Sequence, residues 1–162
     1  MSRRHALEAK VPPPVWTLLA GLAMAWLDRR WPLVEAGHEL SAALRVAAVL
    51  LGIAGLALAG EALVRFVRAR TTWHPTHPER ATALVIRGAY RWTRNPMYLG
   101  LLLVLVGWGA WLGSVTPLAV IAAWAFVMTR LQIEPEERAL LQRFGGEYAQ
   151  YRDSVRRWFG RR

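Results

Sequence analysis

Long uncharged stretches alternate along the chain with short arginine-rich ones. Residues 15–27 carry no charge, residues 41–60 carry only Arg45, and residues 96–113 and 115–129 carry none. A helix crossing a bilayer needs about 20 apolar residues, with about 17 to 25 tolerated. The second and third stretches meet that requirement alone. The first and fourth meet it with flanking residues, the first by extension over Trp31, Pro32 and Leu33 if Asp28, Arg29 and Arg30 lie at the interface. The pattern predicts an all-α integral membrane bundle of about four transmembrane helices, with residues 1–162 forming a single domain.

Finer spacing adds detail. Ala48, Gly52, Gly55, Ala59 and Gly60 make the second stretch rich in small residues, a composition that lets helix backbones approach closely. Tight packing within the bundle is favoured over dimerisation, and Arg45 is expected to snorkel to the outer headgroups. The last two stretches form a hairpin joined at residues 113–117. Asn95-Pro96 is a strong helix start, with Asn as N-cap and Pro at the first helical position. Beyond residue 148, Tyr151, Val155, Trp158 and Phe159 fall on one helical face among Arg152, Arg156, Arg157, Arg161 and Arg162. That spacing predicts a C-terminal interfacial amphipathic helix, with a lid over the site as the sharper alternative.

Composition changes how the charge is read. The 162 residues carry a net charge of +10, which by itself suggests nucleic acid, but 54% are apolar and nine are Trp. No nucleic-acid partner is therefore expected. The absence of Cys excludes disulfide scaffolds, Cys-zinc sites and Cys nucleophiles. Counted by segment, residues 1–10 hold +2, 28–39 hold −1, 61–94 hold +5 and 130–162 hold +3. Arg and Lys favour the cytoplasmic side of short loops. Four spans with both termini cytoplasmic satisfy every loop, which places the protein in an inner or cytoplasmic membrane. A cleavable signal peptide ending near Ala23-Met24-Ala25 fits less well, because its removal would set the two basic regions on opposite sides.

The two polar segments flanking the hairpin carry the candidate chemistry. Before it stand Thr82, Ala83, Leu84, Val85, Gly88, Tyr90, Arg94, Asn95, Pro96, Met97, Tyr98 and Gly100; after it stand Arg130, Gln132, Glu136, Glu137, Phe144, Gly145, Tyr148 and Tyr151. Gly88 permits a turn, Tyr90 and Tyr98 offer aromatic faces, and Glu136 and Glu137 offer carboxylates at the mouth of one hairpin. Such a cup suits a cationic, adenine-bearing ligand. Aromatic anchoring at the membrane interface explains the tyrosines equally well.

These two blocks, Gly-x-Tyr-x-x-x-Arg-Asn-Pro-x-Tyr-x-Gly and then Glu-Glu-x-x-Leu with Phe-Gly-x-x-Tyr-x-x-Tyr, resemble the isoprenylcysteine carboxyl methyltransferase and phospholipid methyltransferase superfamily. The resemblance covers about residues 65–160. It implies S-adenosylmethionine bound at the cytosolic face and a lipophilic or lipid acceptor entering from the bilayer. It assigns cofactor binding to Thr82, Ala83, Leu84, Val85, Gly88, Tyr90, Asn95, Pro96, Met97, Tyr98, Gly100 and Glu136. Its substrate arginine falls on Gln132, with Arg130 two residues earlier and about 200° around a helix. A carboxylate acceptor would need a cation, Arg94 or Arg130, and an amine acceptor would need a base, Glu137.

Rival readings are an NADPH-dependent sterol-type membrane reductase and a non-catalytic membrane scaffold. The Glu136-Glu137 pair and the Asn-Pro-Met-Tyr block favour the methyltransferase. His74 and His77 have a metal-like spacing, but the bracketing Pro75 and Pro78 prevent a regular helix, and no metal is expected.

Overall fold

The structure, a computed structural model, describes residues 11–31, 42–69 and 82–162. His74 and His77 lie outside the described residues. Those described form six α-helices: α1 (Pro13–Arg30), α2 (Ala42–Arg68), α3 (Pro96–Leu112), α4 (Thr116–Met128), α5 (Glu134–Phe144) and α6 (Gly146–Ser154). Among them there is no strand, and the extended pairing is a single bridge between Val155 and Arg161.

Prolines start three of the apolar helices where a missing N–H costs nothing. They stand in the first turn of α1, α3 and α4. Gly113 ends α3 in the left-handed region at φ 79°, and its N–H returns to the Gly109 carbonyl. Two helices, Ala42–Arg68 and Thr116–Phe144, are long and apolar enough to cross a membrane, and Pro96–Leu112 is a shorter apolar helix. Their large side chains face outward: Leu44, Val49, Leu50, Ile53, Leu56, Leu118 and Phe126 are all exposed. An exposed apolar belt of that extent is the surface a lipid environment requires.

The interior is held by close backbone contact. A Cβ on Gly55 of α2 would stand 2.5 Å from the Gly100 carbonyl oxygen of α3, and one on Gly107 would stand 2.6 Å from the Ala48 carbonyl oxygen. The small-residue pattern of α2 is thus spent on α3, as expected for packing inside the bundle. At the other side of α3, Met24, Leu105, Trp124 and Met128 build a core with α1 and α4.

The ends of the bundle differ sharply. At one end the Ser114 hydroxyl donates to Asp28, the Thr116 hydroxyl donates to the Trp31 carbonyl at 2.8 Å, and the Arg45 guanidinium lies 5.9 Å from the Trp111 ring centroid. The opposite end gathers Val11, the end of α2, residues 82–95 and everything after Thr129.

α4 and α5 run as one helix of 29 residues, Thr116–Phe144, whose apolar part stops before Arg130. Between them Thr129–Ile133 forms a π-helical turn, with the Glu134 N–H reaching the Thr129 carbonyl. Pro135 explains it. A proline in a continuing helix donates no hydrogen bond and crowds the carbonyl four residues back, and widening the preceding turn relieves that clash.

Two local expectations are corrected. Asn95 occupies the N-cap position of α3, but its side chain makes no capping bond; its Nδ2 instead donates to the Arg157 carbonyl at 3.0 Å. The C-terminal amphipathic helix ends at Ser154 rather than running to residue 162. Val155 is extended, Gly160 turns at φ 104°, and the Gly160 N–H donates to the Trp92 carbonyl at 2.7 Å. Tertiary hydrogen bonds to residues 92–95 outweigh the helical spacing there.

Candidate functional site

The site lies at the polar end, where the two motif blocks meet. Gly88, at φ 66°, opens a 3-10 turn, Gly88–Arg91, and a side chain there would collide with Glu61 and Arg65 of α2. The turn drops Tyr90 onto buried Ala62, with its ring edge-on to Phe66 at 5.6 Å. The Tyr151 hydroxyl then donates to the Tyr90 carbonyl at 2.7 Å and fixes the turn from α6. Burial, followed by Glu136, Tyr151 and Glu61, pushes the Tyr90 hydroxyl well above its ordinary value.

Tyr98, in the first turn of α3, donates its hydroxyl to Glu136 Oε1 at 2.5 Å. That bond joins the two motif blocks across 38 positions of sequence. Glu136 sits in the polar α5, beyond the apolar stretch. Burial pushes its carboxyl up to about 8, Tyr98 pulls against that shift, and Glu137 adds to it.

Glu137 turns the other way. Arg94 Nη2 donates to its Oε1 at 2.9 Å and Arg157 Nη2 to its Oε2 at 2.7 Å. Arg94 Nη1 continues to the Arg152 carbonyl at 2.9 Å and the Val155 carbonyl at 3.3 Å. The Thr93 hydroxyl and Asn95 Nδ2 both donate to the Arg157 carbonyl. Residues 93–95, the start of α5 and the C-terminal turn are therefore one polar cluster. The Arg157 guanidinium is held further toward its charged form, chiefly by the hydrogen bond it donates to Glu137.

Comparison with known proteins shows the family. The phospholipid methyltransferase family profile matches residues 44–147, from α2 through the start of α6. The chain belongs to the phospholipid methyltransferase family. It is also similar to the protein-S-isoprenylcysteine O-methyltransferase of Saccharomyces cerevisiae, 32% identical over 84 residues, which are 49% of this chain and 34% of that enzyme. An uncharacterised protein of Haemophilus influenzae is 42% identical over 62 residues, covering 38% of this chain and 98% of that protein. These matches place the chain among membrane methyltransferases of this type and do not favour the reductase reading.

Within this family member, the residues singled out in the sequence fall into three groups. Tyr98 and Glu136 are bonded to each other, and Leu84, Val85 and Met97 pack against the separate Tyr90, Tyr148 and Tyr151 cluster; Thr82 and Ala83 precede Leu84 in the same irregular segment. Asn95, Arg94 and Glu137 belong to the adjoining polar cluster, and Pro96 is buried at the start of α3. Gly100 lies at the contact with α2, where a Cβ would stand 2.5 Å from the Gly55 carbonyl oxygen.

Arg130 and Gln132 separate as their offset requires. The Arg130 side chain is 59% exposed, bridges to Glu134 at 3.1 Å and lies over Phe126. Gln132 is fully buried. Its Nε2 donates to the Val11 carbonyl at 2.9 Å, and its Oε1 is buried without a partner. Because Val11 offers only an acceptor, the nitrogen must face it and the oxygen must face inward. Gln132 is one turn from Glu136 on the same helical face.

The sequence missed Arg157, Thr93 and Glu61. Arg157 is one of many C-terminal arginines, and Glu61 enters only as a charge in a basic segment. Nothing in spacing alone distinguishes them.

Proposed function

We propose that the protein is a four-span, S-adenosylmethionine-dependent methyltransferase with its cofactor at the cytosolic, arginine-rich face and a lipophilic acceptor reaching the site from the bilayer. α1, with 18 residues and Arg29 and Arg30 at its end, completes the four spans. The observation that carries the reading is the Tyr98–Glu136 hydrogen bond, which brings both motif blocks to one point. A carboxyl group bonded to the Tyr98 hydroxyl and near enough to act on Tyr90 fits a cationic nucleoside, whose charge favours the ionised form. The residues present fit the cofactor on that ground, and on a second: Gly88 forms a side-chain-free turn beside Tyr90.

When bound, S-adenosylmethionine supplies a methyl group already activated on a sulfonium. The chain's own task is placement and exclusion of water, which in well-oriented systems is worth up to about 7 to 11 kcal/mol. Tyr98, Glu136 and Tyr90, with the Leu84 and Val85 segment, hold the cofactor. Met128, Ile133 and Trp158 pack beside Tyr98 and keep the adjoining interior apolar.

Glu137 and Arg94, expected from the sequence as base and carboxylate holder, take positioning roles in this reading. Both oxygens of Glu137 are engaged by guanidinium groups, and Arg94 is spent on Glu137 and two carbonyls. Exposed Arg130 serves the surface. Gln132 then sets the acceptor: its inward oxygen receives an N–H or O–H donor and offers nothing to a carboxylate. An amine or alcohol head on a lipophilic body fits best. A labelled-methyl transfer screen over aminophospholipids, hydrophobic amines, alcohols and prenylated carboxylates tests this. Transfer to the donor-bearing acceptors is expected, and transfer to the carboxylates alone would overturn the Gln132 assignment.

A further inference from the structure

Glu61 lies at the polar end of α2, among residues that already shape the site. Ala59, two positions earlier, is a neighbour of Gly100, and Ala62, the next residue, is fully buried beneath Tyr90. Gly88 backs onto the Glu61 and Arg65 side chains, so the turn that sets Tyr90 is folded against this pair. The Tyr90 hydroxyl is raised by burial first, then by Glu136, Tyr151 and Glu61. Glu61 on α2 and Glu136 on α5 thus both act on one ring.

The two oxygens of Glu61 have different fates. Oε1 accepts from Arg65 Nε at 2.5 Å, whereas Oε2 is buried with no partner. A carboxylate serving only an i,i+4 surface pair keeps its second oxygen in water. Burying an acceptor oxygen without a donor is unfavourable, and such orphans call for a specific partner. Arg65 pins one oxygen and thereby fixes where the other faces.

We propose that Glu61 is a second cofactor-binding carboxylate, its Oε2 accepting a hydrogen bond from an N–H or O–H donor of the adenosyl cofactor between α2 and α5. The inference rests on the methyltransferase reading above. An adenosyl cofactor offers three donors of this kind, the adenine amino group, the ribose hydroxyls and the α-ammonium group, and a carboxylate recognises any of them.

Glu61→Gln tests the inference with little change in volume. Arg65 Nε still requires an oxygen, so the new amide turns its NH2 toward the position of the orphan acceptor and reverses its polarity. Binding is read by calorimetry on the full chain in detergent, with S-adenosylhomocysteine and with 5′-methylthioadenosine, which keeps the ribose hydroxyls but lacks the ammonium. S-adenosylhomocysteine affinity is expected to fall about tenfold or more, while the ligand-free melting temperature stays level or rises because a buried unpartnered acceptor atom is gone. A parallel loss for methylthioadenosine supports the inference through the adenosine part, ribose or adenine amino group, and its retention supports it through the ammonium. Unchanged affinity for both ligands overturns the inference while leaving the methyltransferase reading intact. A lowered ligand-free melting temperature that accounts for the affinity loss also overturns it, because that is the behaviour of a structural ion pair. Wild-type protein that binds neither ligand contradicts the methyltransferase reading and removes this inference with it.

Discussion

The α2–α3 interface and the polar cluster around Glu137 hold the same molecule together by opposite means. Between α2 and α3, contact is made by what is missing: Gly55, Gly100 and Gly107 leave no side chain, so the backbones touch. Around Glu137, contact is made by reach, with Arg94 and Arg157 spanning 43 and 20 positions of sequence to one carboxylate. In a lipid environment, apolar side chains gain little from burying each other, so close van der Waals packing carries the helix contact. At the polar end, both oxygens of Glu137 leave water paired with guanidinium groups. The difference teaches where each kind of substitution is tolerated.

The largest expected effect comes from filling the glycine contact. Gly55→Leu or Gly100→Val forces α2 from α3, and no folded, monodisperse protein is expected in detergent by size-exclusion chromatography and circular dichroism. Gly60→Ala, where a Cβ meets nothing within 4 Å, is the control and is expected to fold normally.

Breaking the polar cluster is expected to cost less than the whole fold. Arg94→Met strips Glu137 of one guanidinium and frees the carbonyls of Arg152 and Val155. Removal of one partner of a buried pair costs about 3 to 5 kcal/mol. A lowered melting temperature with early proteolytic release of the C-terminal segment is expected, and an unchanged cleavage pattern would show that the cluster does not secure that segment.

A pH titration sharpens the contrast between Glu136 and Glu137. Glu136 is raised from 4.5 to about 8 in the folded protein, so between these values the folded chain keeps a proton that the unfolded chain has lost. Its contribution to ligand-free stability is therefore present below 4.5 and lost as pH rises toward 8. If the carboxylate binds the cofactor, affinity for S-adenosylhomocysteine moves the opposite way, rising by up to about tenfold per pH unit below the folded value. Glu136→Gln is expected to flatten both slopes, whereas slopes that survive the substitution belong to another group.

The smallest effect is expected for Tyr151→Phe, which removes one hydroxyl bond to the Tyr90 carbonyl. A neutral hydrogen bond contributes about 1 kcal/mol. A small fall in melting temperature with retained ligand binding is expected.

How much was legible in the sequence follows the same division. The uncharged stretches marked α2, α3 and α4 because span and charge are local properties, and the Gly-x-Tyr and Glu-Glu blocks pointed to the end of the bundle where Tyr98 meets Glu136. Local patterns failed where long-range bonds compete with them. Asn95 carries the signature of an N-cap, yet its amide goes to the Arg157 carbonyl. The 151, 155, 158, 159 spacing continues a helix on paper, but Gly160 and the carbonyls of Trp92 and Arg156 redirect the backbone. The π turn before Pro135, which accompanies a buried Gln132 and an exposed Arg130, has no periodicity of its own to betray it.

Calorimetry of S-adenosylhomocysteine and NADPH against the wild-type protein, Glu136→Gln and Tyr98→Phe tests the central claim most directly. Micromolar binding of S-adenosylhomocysteine to the wild type, weakened at least tenfold in both variants without loss of fold, is the result expected of a cofactor site at the Tyr98–Glu136 bond. Binding of NADPH alone, or equal S-adenosylhomocysteine affinity in all three proteins, would contradict it.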